Sequence, residues 1–211
     1  MNRLRTRLAL AGAAALAAVT TFSGLTGTAV ATEAQAAPAT QAQTAPVTSI
    51  GTALIREDSD FLRRSAEAGI FVVPLPPGTV GFDPAAGFSG TFPVTGATGV
   101  LREYYGTVQL GGSLLAVNVR TGRTVLFQQL AFDVDNWQLT GVPLGSTAPV
   151  GLLEPTESSL VVNGAVNSLT STGLAVNASG AQYLDSKLAT SFFAAGSQIG
   201  SFALNYTQPA A

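Results

Sequence analysis

The 211-residue sequence contains no cysteine and no histidine. Without cysteine, the protein has no disulfide, no thiolate nucleophile and no thiolate metal site. The lack of histidine excludes Ser-His-Asp and Cys-His catalytic arrangements, histidine zinc motifs and imidazole acid–base catalysis. The fold must therefore depend on its apolar core, for which 46% hydrophobic residues and only 10% charged residues are favourable.

The N-terminal residues have the pattern of an export signal. Arg3, Arg5 and Arg7 precede an apolar run over residues 8–22, and small residues follow. This order predicts a signal peptide over residues 1–36, cleaved after Ala31 or Ala36. The run is too short for a transmembrane helix and no second one follows, so we expect no integral membrane span after cleavage.

Residues 37–48 consist almost entirely of Ala, Gln, Thr and Pro, which is typical of a disordered linker. We therefore expect a single β-rich domain over residues 49–211, a size that one core can stabilise. A mature chain that begins at Ala37 has seven basic and eleven acidic residues, and hence a net charge of −4. A mildly acidic chain of this kind lacks the excess of basic residues that binding to nucleic acid requires.

The stretch from Tyr104 to Val142 has the pattern of a meander of antiparallel strands. Runs of β-branched and large apolar residues alternate with pairs that favour tight turns. The predicted hairpin turns are Gly111-Gly112, Thr121-Gly122 and Asp135-Asn136. Later pairs predict further turns at Asn163-Gly164 and at Ser171-Thr172-Gly173.

The run from Thr124 to Val134 does not keep one apolar face. Val125 and Phe127 lie on one face of an ideal strand, whereas Leu130 and Phe132 lie on the other. Either a β-bulge near Gln128-Gln129 exchanges the two faces, or both faces of the strand are covered.

Two short helices flank the strands, near residues 58–68 and 179–195. Asp58 or Ser59 is a suitable N-cap for the first, which Gly69 ends, whereas Ser179 begins the second and Gly196 ends it. The segment Thr91–Val94 is expected to be an edge strand, because proline is unsuited to a central strand. The predicted fold class is therefore mainly β: an antiparallel β-sandwich with a meander and two short helices.

The candidate binding residues lie at the two ends of the meander. Tyr104, Tyr105 and Trp137 are aromatic residues that could contact a ligand, although aromatic residues also pack in sheets. Asp133 and Asp135 are oxygen ligands in one turn, but Asp is also a usual turn residue and the spacing is not that of an EF-hand. We expect neither a metal nor a cofactor.

A second hypothesis is a carbohydrate-active enzyme that uses paired carboxylates, since two acids need only meet in space. The candidates are Glu103, Asp133, Asp135, Glu154 and Glu157. No nucleophile-elbow, phosphate-loop or dinucleotide motif accompanies them.

The segment Leu174–Ala181, running into Ser191–Gly196, is similar to the end of Htaa-type domains, and so is the alternation around Gly106-Thr107-Val108. The resemblance covers roughly residues 106–206. It implies a secreted actinobacterial β-domain, a family associated with haem capture through a tyrosine supported by a histidine. This chain has no histidine, so no haem-ligand pair is transferred.

Taken together, these patterns predict a secreted or cell-envelope protein, soluble or wall-associated, that binds an unknown ligand or envelope component or has a structural role without catalytic activity. The alternatives are the carbohydrate-active enzyme and a binder of haem or another hydrophobic ligand.

Overall fold

The structure is a computed structural model that describes residues 48–83 and 87–208. The predicted signal peptide (1–36) and nearly all of the predicted linker (37–48) lie outside the described residues. The strands are β1 (Gly51–Glu57), β2 (Ile70–Leu75), β3 (Thr79–Asp83), β4 (Gly87–Ala97), β5 (Thr107–Leu110), β6 (Ser113–Asn118), β7 (Arg123–Asp133), β8 (Gln138–Pro143), β9 (Val150–Asn163), β10 (Val166–Val176) and β11 (Gln198–Thr207). The helices are α1 (Ser59–Ala68) and α2 (Ala178–Leu188), and a 3-10 turn spans Leu101–Glu103.

Eight of the strands form a closed antiparallel barrel. Their order is β7-β5-β4-β1-β11-β10-β9-β8, and β8 pairs back with β7. The predicted mainly-β class with two helices is confirmed, but the predicted sandwich is wrong. Alternation shows only that one face of a strand is buried, which suits a sandwich and a barrel equally. The barrel also needs the pairings of β1 with β4 and with β11, which join strands that no local pattern connects.

The wall of the barrel forks where β5 meets β6. Both strands pair with the same edge of β7, so they act as one bent strand and the predicted hairpin at Gly111-Gly112 is wrong. The other edge of this bent strand is shared, since β5 pairs with β4 and β6 pairs with β2. Among the described strands, β3 pairs only with β4, so β2 and β3 each have an edge on either side of the fork that no described strand pairs with.

The β-bulge that the sequence left open is present in β7. The β7–β8 register shifts between Gln128 and Ala131, and Gln129 has a φ of 49°. Val125 and Phe127 are buried before the bulge, and Leu130 and Phe132 after it. The bulge therefore exchanges the faces of the strand, so that one strand keeps an inward apolar face along its whole length.

Other turns and strands differ in part from the prediction. Hairpins form at Thr121-Gly122, Asp135-Asn136 and Asn163-Gly164 as expected. The segment Ser171–Gly173 is a register shift inside β10 rather than a turn.

Strand β4 lies inside the wall, not at an edge. Pro93 is tolerated there because its carbonyl faces Gly111, on the side where β3 has ended and β5 begins. On that side no described strand residue is in register opposite Pro93 to accept from an N–H group, so the missing N–H group costs little.

The first helix is confirmed and the second is shorter than predicted. Asp58 is the N-cap of α1 and Gly69, with a φ of 74°, is its C-cap. Helix α2 is capped by Asn177 rather than Ser179 and ends at Leu188, before the predicted residue 195. Residues 189–197 form an irregular return to β11. Their apolar residues are spaced much as in a helix, so the sequence pattern alone predicted helix there.

The core fills the interior of the barrel. Its largest fully buried side chains include Phe92, Phe127, Phe132, Phe202 and Tyr206. The Tyr206 hydroxyl donates a hydrogen bond to the Gly99 carbonyl at 2.7 Å, and Leu101 of the 3-10 turn is fully buried nearby in the chain. Among the described residues, no helix is long and apolar enough to cross a membrane.

Candidate functional site

A cavity of about 390 Å³ lies beside the fork in the wall, and we call it the apolar pocket. Its lining is drawn from both helices, from the segment after α2 and from most of the strands. Lining side chains include Ile55, Phe61, Ile70, Val72, Phe92, Leu114, Phe127, Leu152, Leu184, Phe193 and Ile199. Its mouth lies between the unpaired edges of β2 and β3, because Phe71, Val73, Val80 and Phe88 line it and are also exposed.

Hydrogen bonds to the side chains of two acids, Asp58 and Asp185, position aromatic residues at the apolar pocket. The Asp58 carboxylate accepts hydrogen bonds from the backbone N–H groups of Asp60 (2.6 Å) and Phe61 (3.2 Å). This cap sets the start of α1 and positions the Phe61 ring. That ring lies 5.7 Å from the ring of Phe192. The backbone N–H of Phe193 donates to the Asp185 carboxylate at 3.0 Å. These contacts hold two distant segments against the pocket.

Glu57 is the single ionisable side chain among the described residues that line the apolar pocket. It is the last residue of β1 and is half-buried. Burial raises the pKa of its carboxyl group to about 7. The other polar side chains of the lining are Ser65, whose hydroxyl donates to the Leu62 carbonyl at 3.0 Å, and Ser89. The pocket can therefore take an apolar body and offer the Glu57 carboxyl group and the Ser89 hydroxyl for hydrogen bonding.

A second concavity, which we call the polar cleft, lies at the C-terminal end of β7. It has a volume of about 340 Å³ and is lined by Tyr104, Val134, Asp135, Trp137, Ser158 and Leu160. Phe127 of the apolar pocket and Val134 of the polar cleft are separated by a length of strand on the order of 20 Å.

The structure brings three of the five candidate binding residues together. Tyr104, Asp135 and Trp137 line the polar cleft, and the rings of Tyr104 and Trp137 have centroids 5.3 Å apart. Tyr105 is exposed but does not line the cleft. Asp133 serves the turn, since its carboxylate accepts from the backbone N–H (3.2 Å) and side-chain Nδ2 (2.8 Å) of Asn136.

The five acids considered for paired-carboxylate catalysis do not meet in either concavity. Asp135 is the one that lines the polar cleft, and none lines the apolar pocket. Glu154 accepts a hydrogen bond from Asn177 Nδ2, and Glu157 accepts one from the Thr172 hydroxyl at 2.7 Å. Within the part of the chain that the structure describes, no three acidic residues gather as they would around a metal ion.

Sequence reasoning missed the apolar pocket and the place of Glu57. The sequence groups Glu57 with Asp58 and Asp60 as acids at the start of a helix, but only Asp58 caps α1. The lining residues of the pocket are scattered from Ile55 to Ile199, so no local motif marks them. The available signal was weak: a carboxylate at the end of an apolar strand, next to the acid that caps the helix.

Comparison with known proteins gives likenesses of structure. No family model matches the sequence, and no curated protein matches it. The crystal structure of the C-terminal domain of HtaA from Corynebacterium glutamicum is similar, with a TM-score of 0.51 and 14% identity over 75% of this chain and 98% of that one.

Two further structures of HtaA from the same organism are similar at lower scores. A domain-swapped dimer of a histidine-to-alanine variant of the C-terminal domain has a TM-score of 0.49 and 14% identity, over 72% of this chain and 92% of that one. The N-terminal domain has a TM-score of 0.47 and 12% identity, over 77% and 99%. The resemblance to Htaa-type domains is confirmed, and at these identities it concerns the fold.

Proposed function

We propose that the protein is an exported, non-catalytic binding protein of the cell envelope that takes an apolar small molecule into the apolar pocket. The observation that carries this proposal is a cavity of about 390 Å³ with an almost wholly apolar lining and a mouth between two unpaired strand edges. Ligand pockets in proteins are typically of this size and apolar, with a few polar groups that orient the ligand. Export rests on the arginine-rich, apolar N-terminal pattern.

Glu57 supports a ligand with one polar end. Its carboxyl group, with a pKa raised to about 7, is partly protonated near neutral pH and can donate as well as accept a hydrogen bond. We expect the polar end of the ligand to lie at Glu57 and its apolar body to extend towards Phe92 and Phe127. A long-chain alcohol has this chemistry.

Glycoside hydrolysis uses two carboxylates on either side of the scissile bond. Neither concavity has such a pair among the described residues that line it, which favours binding over hydrolysis. Haem is one candidate ligand, and its binding to the apolar pocket must be tested. Among the described lining residues, the Glu57 carboxylate is the one side chain suited to bind iron, because the lining has no tyrosine or methionine and the sequence has no histidine or cysteine.

The test is titration of the purified protein with the neutral dye N-phenyl-1-naphthylamine, followed by its fluorescence. We expect saturable, blue-shifted emission that long-chain alcohols reverse. Ala66, on the exposed side of α1, lines the pocket, so Ala66→Trp should obstruct it and weaken dye binding about tenfold or more. Ala178→Trp is the matched control, because Ala178 is also an exposed helical alanine but does not line the pocket.

Equal dye binding by the wild type and Ala66→Trp, or no saturable binding, would contradict the proposal. Haemin, titrated in parallel and followed by its Soret band, separates haem from other apolar ligands. A Soret shift that Glu57→Gln abolishes would assign iron ligation to Glu57, whereas an unchanged band would favour a metal-free ligand.

A further inference from the structure

The polar cleft combines two aromatic rings with hydrogen-bonding groups at its edge. The ring of Tyr104 lies 5.3 Å from that of Trp137 at an interplanar angle of 44°, and the Tyr104 side chain is largely exposed. Asp135 and Ser158 supply a carboxylate and a hydroxyl, and Val134 and Leu160 supply apolar contact. The lining is thus mixed, unlike that of the apolar pocket.

The side chains of the polar cleft are held in place by neighbouring groups. The rings of Trp137 and the buried Phe132 pack in a T-shaped arrangement with centroids 5.3 Å apart, and Trp137 Nε1 donates to the Ser158 hydroxyl at 3.4 Å. The Asp135 Oδ1 atom accepts from the backbone N–H of Gly106 at 3.2 Å. Asp135 Oδ2 accepts no hydrogen bond from the described residues, so it is available to a ligand.

The backbone presents both rings in an uncommon way. Tyr104 has a φ of 55° and Trp137 a φ of 53°, in the left-handed region that bulky residues rarely adopt. Both residues are at the ends of tight local structures: Tyr104 ends the 3-10 turn, and Trp137 ends the β7–β8 turn. Backbone strain of this kind is often found at ligand-binding sites, and here it affects the two rings that line one cleft.

We propose that the polar cleft is a carbohydrate-binding site. The face of the exposed Tyr104 ring stacks against the C–H groups of a pyranose, whose slightly positive hydrogens complement the negative face of an aromatic ring. The Trp137 ring, tilted by 44° from it, adds a second aromatic contact to the same ligand. The free oxygen of Asp135 accepts charge-assisted hydrogen bonds from sugar hydroxyl groups, and Ser158 adds a second polar contact at the rim. Because Asp135 is the single carboxylate among the described residues that line the cleft, the site is assigned to binding rather than hydrolysis.

A small cation is the competing ligand for aromatic rings beside a carboxylate. An aromatic cage requires the rings to stand apart so that the cation lies over their faces. Tyr104 and Trp137 instead contact each other directly, with centroids 5.3 Å apart and an interplanar angle of 44°, so their faces leave no gap for a cation. This arrangement suits a sugar that packs on one exposed ring face better than an enclosed ammonium group.

The sequence provides its own reporter for the site, because Trp137 is the only tryptophan in the chain. The purified protein is titrated with cellotetraose, chitotetraose, maltotetraose and mannotetraose, and the emission of Trp137 is recorded, with calorimetry as an independent measurement. We expect at least one tetrasaccharide to change the emission saturably. The same tetrasaccharide should leave dye binding in the apolar pocket unchanged.

Two variants and one matched control test the assignment. Tyr104→Ala should weaken binding of that tetrasaccharide about tenfold, and Asp135→Asn should weaken it several-fold while still accepting the Gly106 hydrogen bond. Tyr105→Ala removes an exposed tyrosine adjacent in sequence that does not line the cleft, so its affinity should equal that of the wild type. Thermal unfolding of each variant confirms that it is folded.

Three results would overturn the proposal. The first is that no tetrasaccharide alters Trp137 emission or releases heat. The second is that Tyr104→Ala and Tyr105→Ala lose affinity equally. The third is that choline, titrated in the same way, binds saturably while the tetrasaccharides do not, which would assign the cleft to a cation.

Discussion

Single residues with a positive φ mark the irregular points of this barrel. Besides glycines, the described residues with this conformation are Tyr104, Gln129, Trp137, Glu157 and Ala189. Tyr104 and Trp137 line the polar cleft, whereas Gln129 lies at the bulge in β7 and Ala189 ends α2. The same backbone conformation therefore has a structural role at some positions and presents candidate binding residues at others.

Gln129→Gly should stabilise the protein by about 0.5 to 1 kcal/mol. Gln129 is exposed with a φ of 49°, where an L-residue costs roughly 1–2 kcal/mol, and glycine removes that cost while losing a smaller amount in chain entropy. Gln128→Gly is the matched control, because Gln128 is an exposed neighbour without a positive φ, and it should destabilise by a similar amount. Chemical denaturation measures both; destabilisation by Gln129→Gly would refute the argument.

At the scale of elements, local physical chemistry predicted what depends on neighbours in sequence. The α1 boundaries followed from Asp58 as a cap and Gly69 as a stop, and three hairpins followed from their turn residues. The prediction failed where the same local signal has two outcomes. Gly111-Gly112 was predicted to turn the chain back, but it bends one strand so that β5 and β6 continue along the same edge of β7.

The fork in the wall depends on close backbone contact at Gly112. Its φ is 108°, and a β-carbon there would lie 2.8 Å from the Gly78 nitrogen and 2.9 Å from the Leu75 carbonyl oxygen, in the turn that joins β2 to β3. A side chain at Gly112 would push this turn away. The mouth of the apolar pocket, which lies between β2 and β3, would then change shape.

Gly112→Ala should therefore destabilise the protein by roughly 2–4 kcal/mol and alter dye binding. Gly122→Ala is the matched control: Gly122 also has a positive φ, of 70°, but its β-carbon would meet nothing within 4 Å. It should cost only about 1 kcal/mol and leave dye binding unchanged. Thermal and chemical unfolding give the two costs, and equal costs would show that the contact at the fork is unimportant.

At the scale of the whole molecule, the barrel separates two candidate sites by chemistry and by position. The apolar pocket lies at the fork and the polar cleft lies at the far end of β7. Three residues of the polar cleft, Tyr104, Asp135 and Trp137, were among the five candidates from the sequence, because aromatic and carboxylate side chains there could contact a ligand. The sequence could not indicate the apolar pocket, because its lining comes from residues that also look like ordinary core and meet only after the ring closes.

Glu57 couples the apolar pocket to the stability of the whole protein. Burial raises the pKa of its carboxyl group from 4.5 to about 7 in the folded state. Below about pH 4.5 the group is protonated in both the folded and unfolded states, and its burial carries no charge penalty. As the pH rises towards 7 the unfolded chain loses this proton while the folded protein keeps it, so the free energy of unfolding falls. Above about pH 7 the folded protein has lost the proton as well, and the free energy of unfolding falls no further on account of Glu57.

Glu57→Gln should remove this loss and make the protein more stable at pH 8 by between about 1 and 3 kcal/mol, while changing its stability little at pH 4. Glu103→Gln removes the same charge from an exposed position on the 3-10 turn and serves as the matched control. Urea denaturation from pH 4 to pH 8 measures all three proteins. If the difference between Glu57→Gln and the wild type does not grow with pH, the Glu57 carboxylate is solvated in the folded protein, and an apolar ligand would bind without a polar contact at this position.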